Sequence, residues 1–114
     1  MSKPSQLTIF TDGGSRGNPG PAGIGVVVFA GAVEPADTYP DQQPIHEHAA
    51  HMGTATNNEA EYAAFAAAVE WLTSDEDILQ PVDLSQLQMV HAYLDSKLVV
   101  EQLNGNWKIK QAHL

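Results

Sequence analysis

The feature that most constrains the fold is a predicted helix placed between predicted strands. Residues 56–59 read Thr-Asn-Asn-Glu, the form of a capping box, with Thr56 as the N-cap and Glu59 at the third helical position. The helix is predicted to continue to about Leu72, because apolar side chains recur at spacings of three and four: Tyr62, Phe65, Val69 and Leu72. Six alanines in this segment favour close packing against another element.

Three segments before the helix and one after it have the character of strands. They are residues 6–11, 24–29, 45–52 and 88–94. A strand–helix–strand crossover requires the last of these to lie parallel to the first. The sequence therefore predicts a single α/β domain, residues 1–114, whose mixed sheet has three antiparallel strands plus a fourth strand parallel to the first. Helices pack on this sheet, and a short second helix is predicted over residues 97–103, capped by Ser96.

Composition limits the classes of function. Of 114 residues, 43% are hydrophobic and 17% are charged, which is typical of a globular protein. No signal peptide and no membrane-spanning apolar run are predicted, so no membrane partner is expected. The absence of cysteine excludes disulfides and thiolate metal sites, and it favours a cytoplasmic location. The net charge of −9 opposes phosphate binding, although many acidic residues lie in the segments 34–47 and 75–83.

Three carboxylates are predicted to meet at one edge of the sheet. Asp12 follows the first strand, Asp95 follows the fourth, and Glu61 lies about one turn into the helix. The ends of neighbouring parallel strands are about 5 Å apart, and chemistry gathers outside them. Glu59 and Glu61 are about 200° apart around the helix, so the capping role of Glu59 leaves Glu61 to face the sheet. A hard divalent cation such as Mg²⁺ would relieve the repulsion among these acids.

Each of these residues also has a purely structural interpretation. An aspartate at a strand end is commonly a turn former, and a glutamate early in a helix favours the helix dipole. The glycine-rich segment 11–20, TDGGSRGNPG, matches neither a phosphate loop nor the G-x-G-x-x-G pattern. It is either simple turn chemistry or a place where a nucleic-acid backbone can come close to the chain.

Two further clusters have competing interpretations. On a strand, the segment 46–51 (HEHAAH) places His46 and His48 on one face, whereas on a helix His48 and His51 would share one. The zinc pattern H-E-x-x-H is absent, so a polar strand face is favoured over a zinc site. Residues 107–110, WKIK, form either an aromatic and basic contact for nucleic acid or part of the core.

Three blocks of the sequence carry a resemblance to a known family. They are TDGGSRGNPGPAGIGVVV, TNNEAEYAAFAAAVEWL and VHAYLDSKLVVEQLNGNWKIK, in that order. Together they resemble ribonuclease HI, the type 1 ribonuclease H family, in its compact bacterial and archaeal branch. The resemblance implies a metal-dependent endonuclease that cleaves the RNA strand of RNA–DNA hybrids. It also implies two Mg²⁺ or Mn²⁺ ions held by four carboxylates.

The resemblance implies roles for nine residues. Three match metal-binding, catalytic carboxylates of the family: Asp12, Glu61 and Asp95. Three match positions that contact the hybrid in its minor groove, where a 2′-hydroxyl distinguishes RNA from DNA: Asn18, Asn57 and Asn58. Three match positions near backbone contacts, the last on the DNA-phosphate side: Gly13, Gly14 and Thr56.

The resemblance also implies parts that this sequence does not contain. The family's fourth carboxylate lies in a C-terminal helix that follows a fifth strand, preceded by a loop histidine for which His113 is not a match. The fifth strand and the last helix are therefore predicted to be missing, and the open edge of the sheet would favour self-association. Two alternatives to an active nuclease follow: a shortened module that keeps hybrid binding or self-association without catalysis, and a fold fragment that serves only as an interaction surface.

Overall fold

Five strands form one mixed sheet in the computed structural model, which describes residues 3–34, 43–73, 82–94, 100 and 108–111. In chain order they are β1 (Gln6–Ser15), β2 (Gly20–Ala30), β3 (His46–Ala55), β4 (Met89–Leu94) and β5 (Lys108–Gln111). Their spatial order is β3-β2-β1-β4-β5. The strands β1, β2 and β3 are antiparallel neighbours, and β4 lies parallel to β1. The predicted α/β mixed sheet is confirmed.

The helix α1 (Asn57–Leu72) begins with the predicted capping box. The Thr56 hydroxyl accepts a hydrogen bond from the Glu59 N–H at 3.1 Å, and the Glu59 carboxylate accepts one from the Thr56 N–H at 2.8 Å. Hydrogen bonding to the Thr56 backbone N–H, and then to the Thr56 side chain, lowers the pKa of the Glu59 carboxyl group. A 3₁₀ turn, Leu84–Gln86, precedes β4. Within the described part of the chain, no helix combines the length and the apolar character that a bilayer crossing requires.

The core lies between α1 and one face of the sheet. Its strand residues Leu7, Ile9, Val26 and Val28 are at most 2% exposed. The buried apolar residues of α1 recur every four positions: Ala60, Ala64, Ala68 and Leu72. The predicted stripe of larger side chains is thus wrong in part, since Tyr62 and Phe65 are only partly buried, against Ala92, Leu94 and Val100. Methyl groups occupy the centre because they let the helix come closest to the strands.

The prediction of a missing fifth strand is wrong for this structure. The segment Lys108–Gln111 pairs in parallel with β4, from His91 opposite Lys108 to Leu94 opposite Gln111. The physical reason is that the outer edge of β4 offers unpaired backbone groups, which an extended segment can satisfy. The edge of β4 is therefore covered by β5 from His91 to Leu94, and self-association through an open sheet edge stays a prediction.

Several predicted elements lie outside the described residues. The predicted second helix, residues 97–103, is represented only by Val100, which is helical and 9% exposed. Asp95, Trp107 and the acidic segments at 35–42 and 74–81 also lie outside them.

A stack of two rings joins β3 to α1. The His46 ring lies 4.4 Å from the Trp71 ring, centroid to centroid, with an interplanar angle of 12°. The His48 ring is parallel to that of His46 at 6.5 Å, as predicted for two side chains on one face of a strand. With Ala67 and Glu70 these rings line a cavity of about 290 Å³. Burial, and then the charge of His48, lower the pKa of His46.

Acidification is therefore expected to destabilise the fold. Folding lowers the His46 pKa, so the unfolded chain binds a proton at this residue more readily than the folded chain does. The free energy of unfolding is therefore at its full value above the unfolded-state pKa of about 6.5, and it decreases as pH falls through the lower folded-state pKa. The melting temperature should fall from about pH 7.5 to about pH 5.5, and fall less in His46→Gln. The Glu59 and Asp83 carboxyl groups, whose pKa values are also lowered, titrate below this window.

The matched control is His51→Gln, because His51 lies on the other face of β3. Thermal unfolding followed by circular dichroism at several pH values measures the slope for each variant. A slope that is the same in His46→Gln as in the unsubstituted chain would show that the ring stack is not the origin of the effect.

Candidate active site

Asp12 lies within β1, not after it. The strand was predicted to end at residue 11, but its pairing with β2 continues to Ser15, opposite Ala22. Its pairing with β4 stops at Thr11, so Asp12 is the first residue of β1 beyond the parallel ladder. The turn itself is confined to residues 16–19, where Gly17 has a φ of +86° that side chains rarely adopt. Part of the predicted glycine loop is therefore strand.

Glu61 reaches the next residue of β1, Gly13, from α1. Its side chain is 4% exposed, and one carboxylate oxygen accepts a hydrogen bond from the Gly13 N–H at 2.9 Å. Glu59, two positions earlier, is exposed and caps the helix. The structure thus separates the two glutamates as the helical period predicts. It brings Glu61 to the residue that follows Asp12.

The close approach of α1 to β1 depends on Gly13. A Cβ atom at this position would lie 2.3 Å from the carbonyl carbon and oxygen of Ala60 and 2.6 Å from the Glu61 nitrogen. At Gly14, one residue further, a Cβ atom would meet nothing within 4 Å. The two glycines therefore have different roles: Gly13 admits the helix backbone, and Gly14 leaves the opposite face of the sheet open.

An open groove of about 480 Å³ extends from Asp12 across the sheet. Its lining is mostly of small residues from three strands: Gly14, Gly23, Gly25, Ala49 and Ala50. Asp12 is exposed at one side of the groove, and His51 lies on the β3 side. The three histidines of β3 therefore do not converge, since His46 and His48 contact the α1 side. Solvent and a substrate can reach the Asp12 carboxylate directly.

The position of Asp95 stays a prediction, because Asp95 lies outside the described residues. Its neighbour Leu94 pairs with Thr11, the residue before Asp12. Among the residues that the structure describes, no three His, Asp or Glu side chains form a metal-binding group. Asp12 and Glu61 supply hard carboxylate oxygens, the donors that Mg²⁺ and Mn²⁺ prefer. The donor chemistry at this end of β1 therefore fits such an ion.

The predicted nucleic-acid contacts lie beside these carboxylates, where the β1–β2 turn meets the start of α1. The Asn57 N–H donates to the Asn18 side-chain oxygen at 3.0 Å. The Ser15 N–H donates to the Asn57 side-chain oxygen at 2.9 Å. Thr56 and Asn58 flank Asn57 at the helix start. Sequence reasoning missed Ser15, because no local pattern signals a bond between residues 42 positions apart.

Comparison with known proteins assigns this chain to one family. The family model for RNase H matches residues 4–113. Bifunctional protein Rv2228c of Mycobacterium tuberculosis is 39% identical over 109 residues, which are 96% of this chain and 25% of that protein. Ribonuclease HI of Halobacterium salinarum is 37% identical over 98 residues, which are 86% of this chain and 40% of that protein. The chain belongs to the RNase H family.

Solved structures narrow the assignment. LC11-RNase H1, isolated from compost, is 39% identical with a TM-score of 0.65, over 91% of this chain and 64% of that one. LC11-RNase H1 in complex with an RNA/DNA hybrid is 40% identical with a TM-score of 0.63, over 93% of this chain and 66% of that one. Within the family the chain is therefore of the ribonuclease HI type. It spans a quarter to two-fifths of the length of the mycobacterial and halobacterial relatives.

Proposed function

We propose that this chain hydrolyses the RNA strand of RNA–DNA hybrids with two divalent metal ions, Mg²⁺ or Mn²⁺. The observation that carries the proposal is the bond from the Gly13 N–H to the Glu61 carboxylate, which brings buried Glu61 to the residue after Asp12, at the end of the parallel ladder. Membership of the RNase H family supports it, as does the relative solved with an RNA/DNA hybrid. We also propose that residues 1–114 form a single domain and that the protein is located in the cytoplasm.

The proposed metal-binding and catalytic residues are Asp12, Glu61 and Asp95. Ions bound there would activate the attacking water and stabilise the leaving oxygen. Glu61 is held in one orientation by burial and by the Gly13 N–H, so its charge needs little rearrangement during the reaction. Asp12 is exposed on the groove, whereas Glu61 is buried, so a substrate can approach Asp12 directly.

The proposed hybrid contacts lie along the end of β1, in the β1–β2 turn and at the start of α1. Asn18, Asn57 and Asn58 would contact the minor groove, and Gly13, Gly14 and Thr56 the backbones of the two strands. Asn18 and Asn57 are exposed, and each is held by a hydrogen bond across the turn. The net charge of −9 repels phosphates, and the chain has only five Lys and Arg residues to neutralise them, so binding should weaken less with added salt than it does for a basic protein.

A cleavage assay tests this function. The chain is incubated with a hybrid that carries a labelled RNA strand, with and without Mg²⁺, alongside Asp12→Asn and matched RNA and DNA duplexes. Metal-dependent cleavage of the RNA in the hybrid is expected, and it should be lost in Asp12→Asn, which cannot supply the charge. Calorimetric titration of Mg²⁺ into both proteins gives a second readout that does not depend on turnover.

The assay also separates the alternatives. Hybrid binding without metal-dependent cleavage would overturn the nuclease proposal and indicate a non-catalytic binding module. If the chain neither binds nor cleaves the hybrid, the result would favour a fold that serves only as an interaction surface. Cleavage that is unchanged in Asp12→Asn would remove Asp12 from the proposed site.

A further inference from the structure

Three side chains join the β1–β2 turn to the start of α1. The Asn57 side-chain oxygen lies 2.9 Å from the Ser15 N–H and 3.1 Å from the Ser15 hydroxyl. The Ser15 hydroxyl also approaches the Gly17 carbonyl, so its single proton is shared between two acceptors. The Asn18 side-chain oxygen accepts from the Asn57 N–H at 3.0 Å. Ser15 is thus the residue that contacts the side-chain amide of Asn57 from both its backbone and its hydroxyl.

These contacts fix the orientation of both asparagine amides. A backbone N–H can only donate, so the atom that faces it must be the amide oxygen and not the NH₂ group. The Ser15 N–H fixes the orientation of the Asn57 side-chain amide in this way, and the Asn57 N–H fixes that of the Asn18 side-chain amide. A half-turn of the Asn57 amide would place two donors against each other. Both oxygens are therefore used inside the protein, and among the described residues nothing accepts from either NH₂ group.

The exposed side of this network consequently presents donors only. Atoms that can accept from them are the 2′-oxygen of a ribose and the minor-groove atoms N3 of purines and O2 of pyrimidines. Those base atoms occur in every base pair, so a donor pair does not select a sequence. The 2′-oxygen occurs only in RNA. A fixed donor pair therefore favours RNA-containing duplexes without regard to base order.

We propose that Ser15 is a positioning residue, which holds the Asn57 amide so that only its NH₂ group faces bound nucleic acid and thereby supports selectivity for a hybrid over DNA. This inference rests on the proposed hybrid substrate. Ser15 itself need not touch the substrate. If it acts through Asn57, its effect must disappear when the Asn57 side chain is absent.

The test measures binding of an RNA–DNA hybrid and of a DNA duplex of the same sequence by fluorescence anisotropy, without added metal, so that no cleavage occurs. Ser15→Ala keeps the bond from the backbone N–H and removes only the one from the hydroxyl, so it should weaken hybrid binding about 3- to 10-fold, the range for one neutral hydrogen bond, and weaken DNA binding less. Ser15→Thr keeps the hydroxyl and should restore hybrid binding. In an Asn57→Ala background, Ser15→Ala should have no further effect.

A second variant tests the donor directly. Asn57→Asp keeps an oxygen for the Ser15 N–H but replaces the NH₂ donor, so the fold should be retained while the preference for hybrid over DNA falls. The added charge repels both duplexes, and the ratio of the two affinities removes that common effect. The ¹⁵N relaxation of the Asn57 side-chain amide gives a readout without nucleic acid, and Ser15→Ala should make this group more mobile.

The outcomes are distinguishable. Two results would overturn the positioning role: an equal loss of hybrid and DNA binding in Ser15→Ala, or a loss that persists in the Asn57→Ala background. Either would indicate that Ser15 stabilises the turn through its contact with the Gly17 carbonyl. A hybrid preference that is unchanged in Ser15→Ala would overturn it as well. If the unsubstituted chain binds neither duplex, the proposed function fails first, and the inference fails with it.

Discussion

Replacing Glu61 with glutamine is expected to lower cleavage of the hybrid at least about 100-fold while the fold is retained, because a metal ligand of this kind is worth several kcal/mol in the transition state. The glutamine oxygen can still accept the hydrogen bond that the Gly13 N–H gives to Glu61. What is lost is the negative charge that a hard cation needs. Initial rates over a range of Mg²⁺ concentrations, together with thermal unfolding, measure the two effects separately.

Glu59→Gln is the matched control, two positions away on the same helix. Glu59 is exposed, and its carboxylate accepts from the Thr56 N–H as half of the capping box. Glutamine can fill that role, so only a small loss of stability and little change in rate are expected. Equal losses of activity in the two variants would contradict the assignment of Glu61 to the active site and of Glu59 to the cap.

Gly13→Ala is expected to destabilise the fold by about 1–3 kcal/mol or more, which is the usual cost of forcing extra volume into a packed contact. The new methyl group would lie 2.3 Å from the backbone of Ala60, and a backbone cannot move aside as a flexible side chain can. The start of α1 must shift, which lengthens the bond between Gly13 and Glu61 and displaces the carboxylate. For a domain of this size each 1 kcal/mol lowers the melting temperature by about 4–8 °C.

Gly14→Ala provides the comparison for stability. The same change one residue along the same strand meets nothing within 4 Å, so a change within about 0.5 kcal/mol is expected. Urea unfolding of both variants gives the difference. If Gly14→Ala were as destabilising as Gly13→Ala, the cost would come from strand propensity or from the unfolded chain, and the close contact with α1 would not explain it.

Local patterns predicted much of this architecture. The capping box lies where Thr56 and Glu59 predict it, since its bonds join residues three apart. The period of the helix predicted that Glu61 faces the sheet and that Glu59 does not. The apolar segments on either side of α1 predicted a parallel pairing of β1 with β4, because crossovers of this kind have one common solution.

The errors arise where distant residues meet. The strand β1 continues through Asp12 because β2 pairs with it as far as Ser15, and this cannot be read from the glycines themselves. Alanines instead of aromatic residues fill the centre of the helix–sheet contact, because the distance between α1 and β1 decides which side chains fit. The strand β5 forms because β4 offers an open edge to a four-residue segment.

The candidate site divides in the same way. The identities of Asp12 and Glu61, and the choice of Glu61 over Glu59, follow from the sequence, because spacing along a strand and around a helix fixes the direction of each side chain. Tertiary structure alone decided that the Gly13 N–H binds the Glu61 carboxylate, and that Ser15 reaches Asn57 across the turn. Those contacts link residues 48 and 42 positions apart, and hydrogen bonds over such separations exist only after the helix has packed on the sheet.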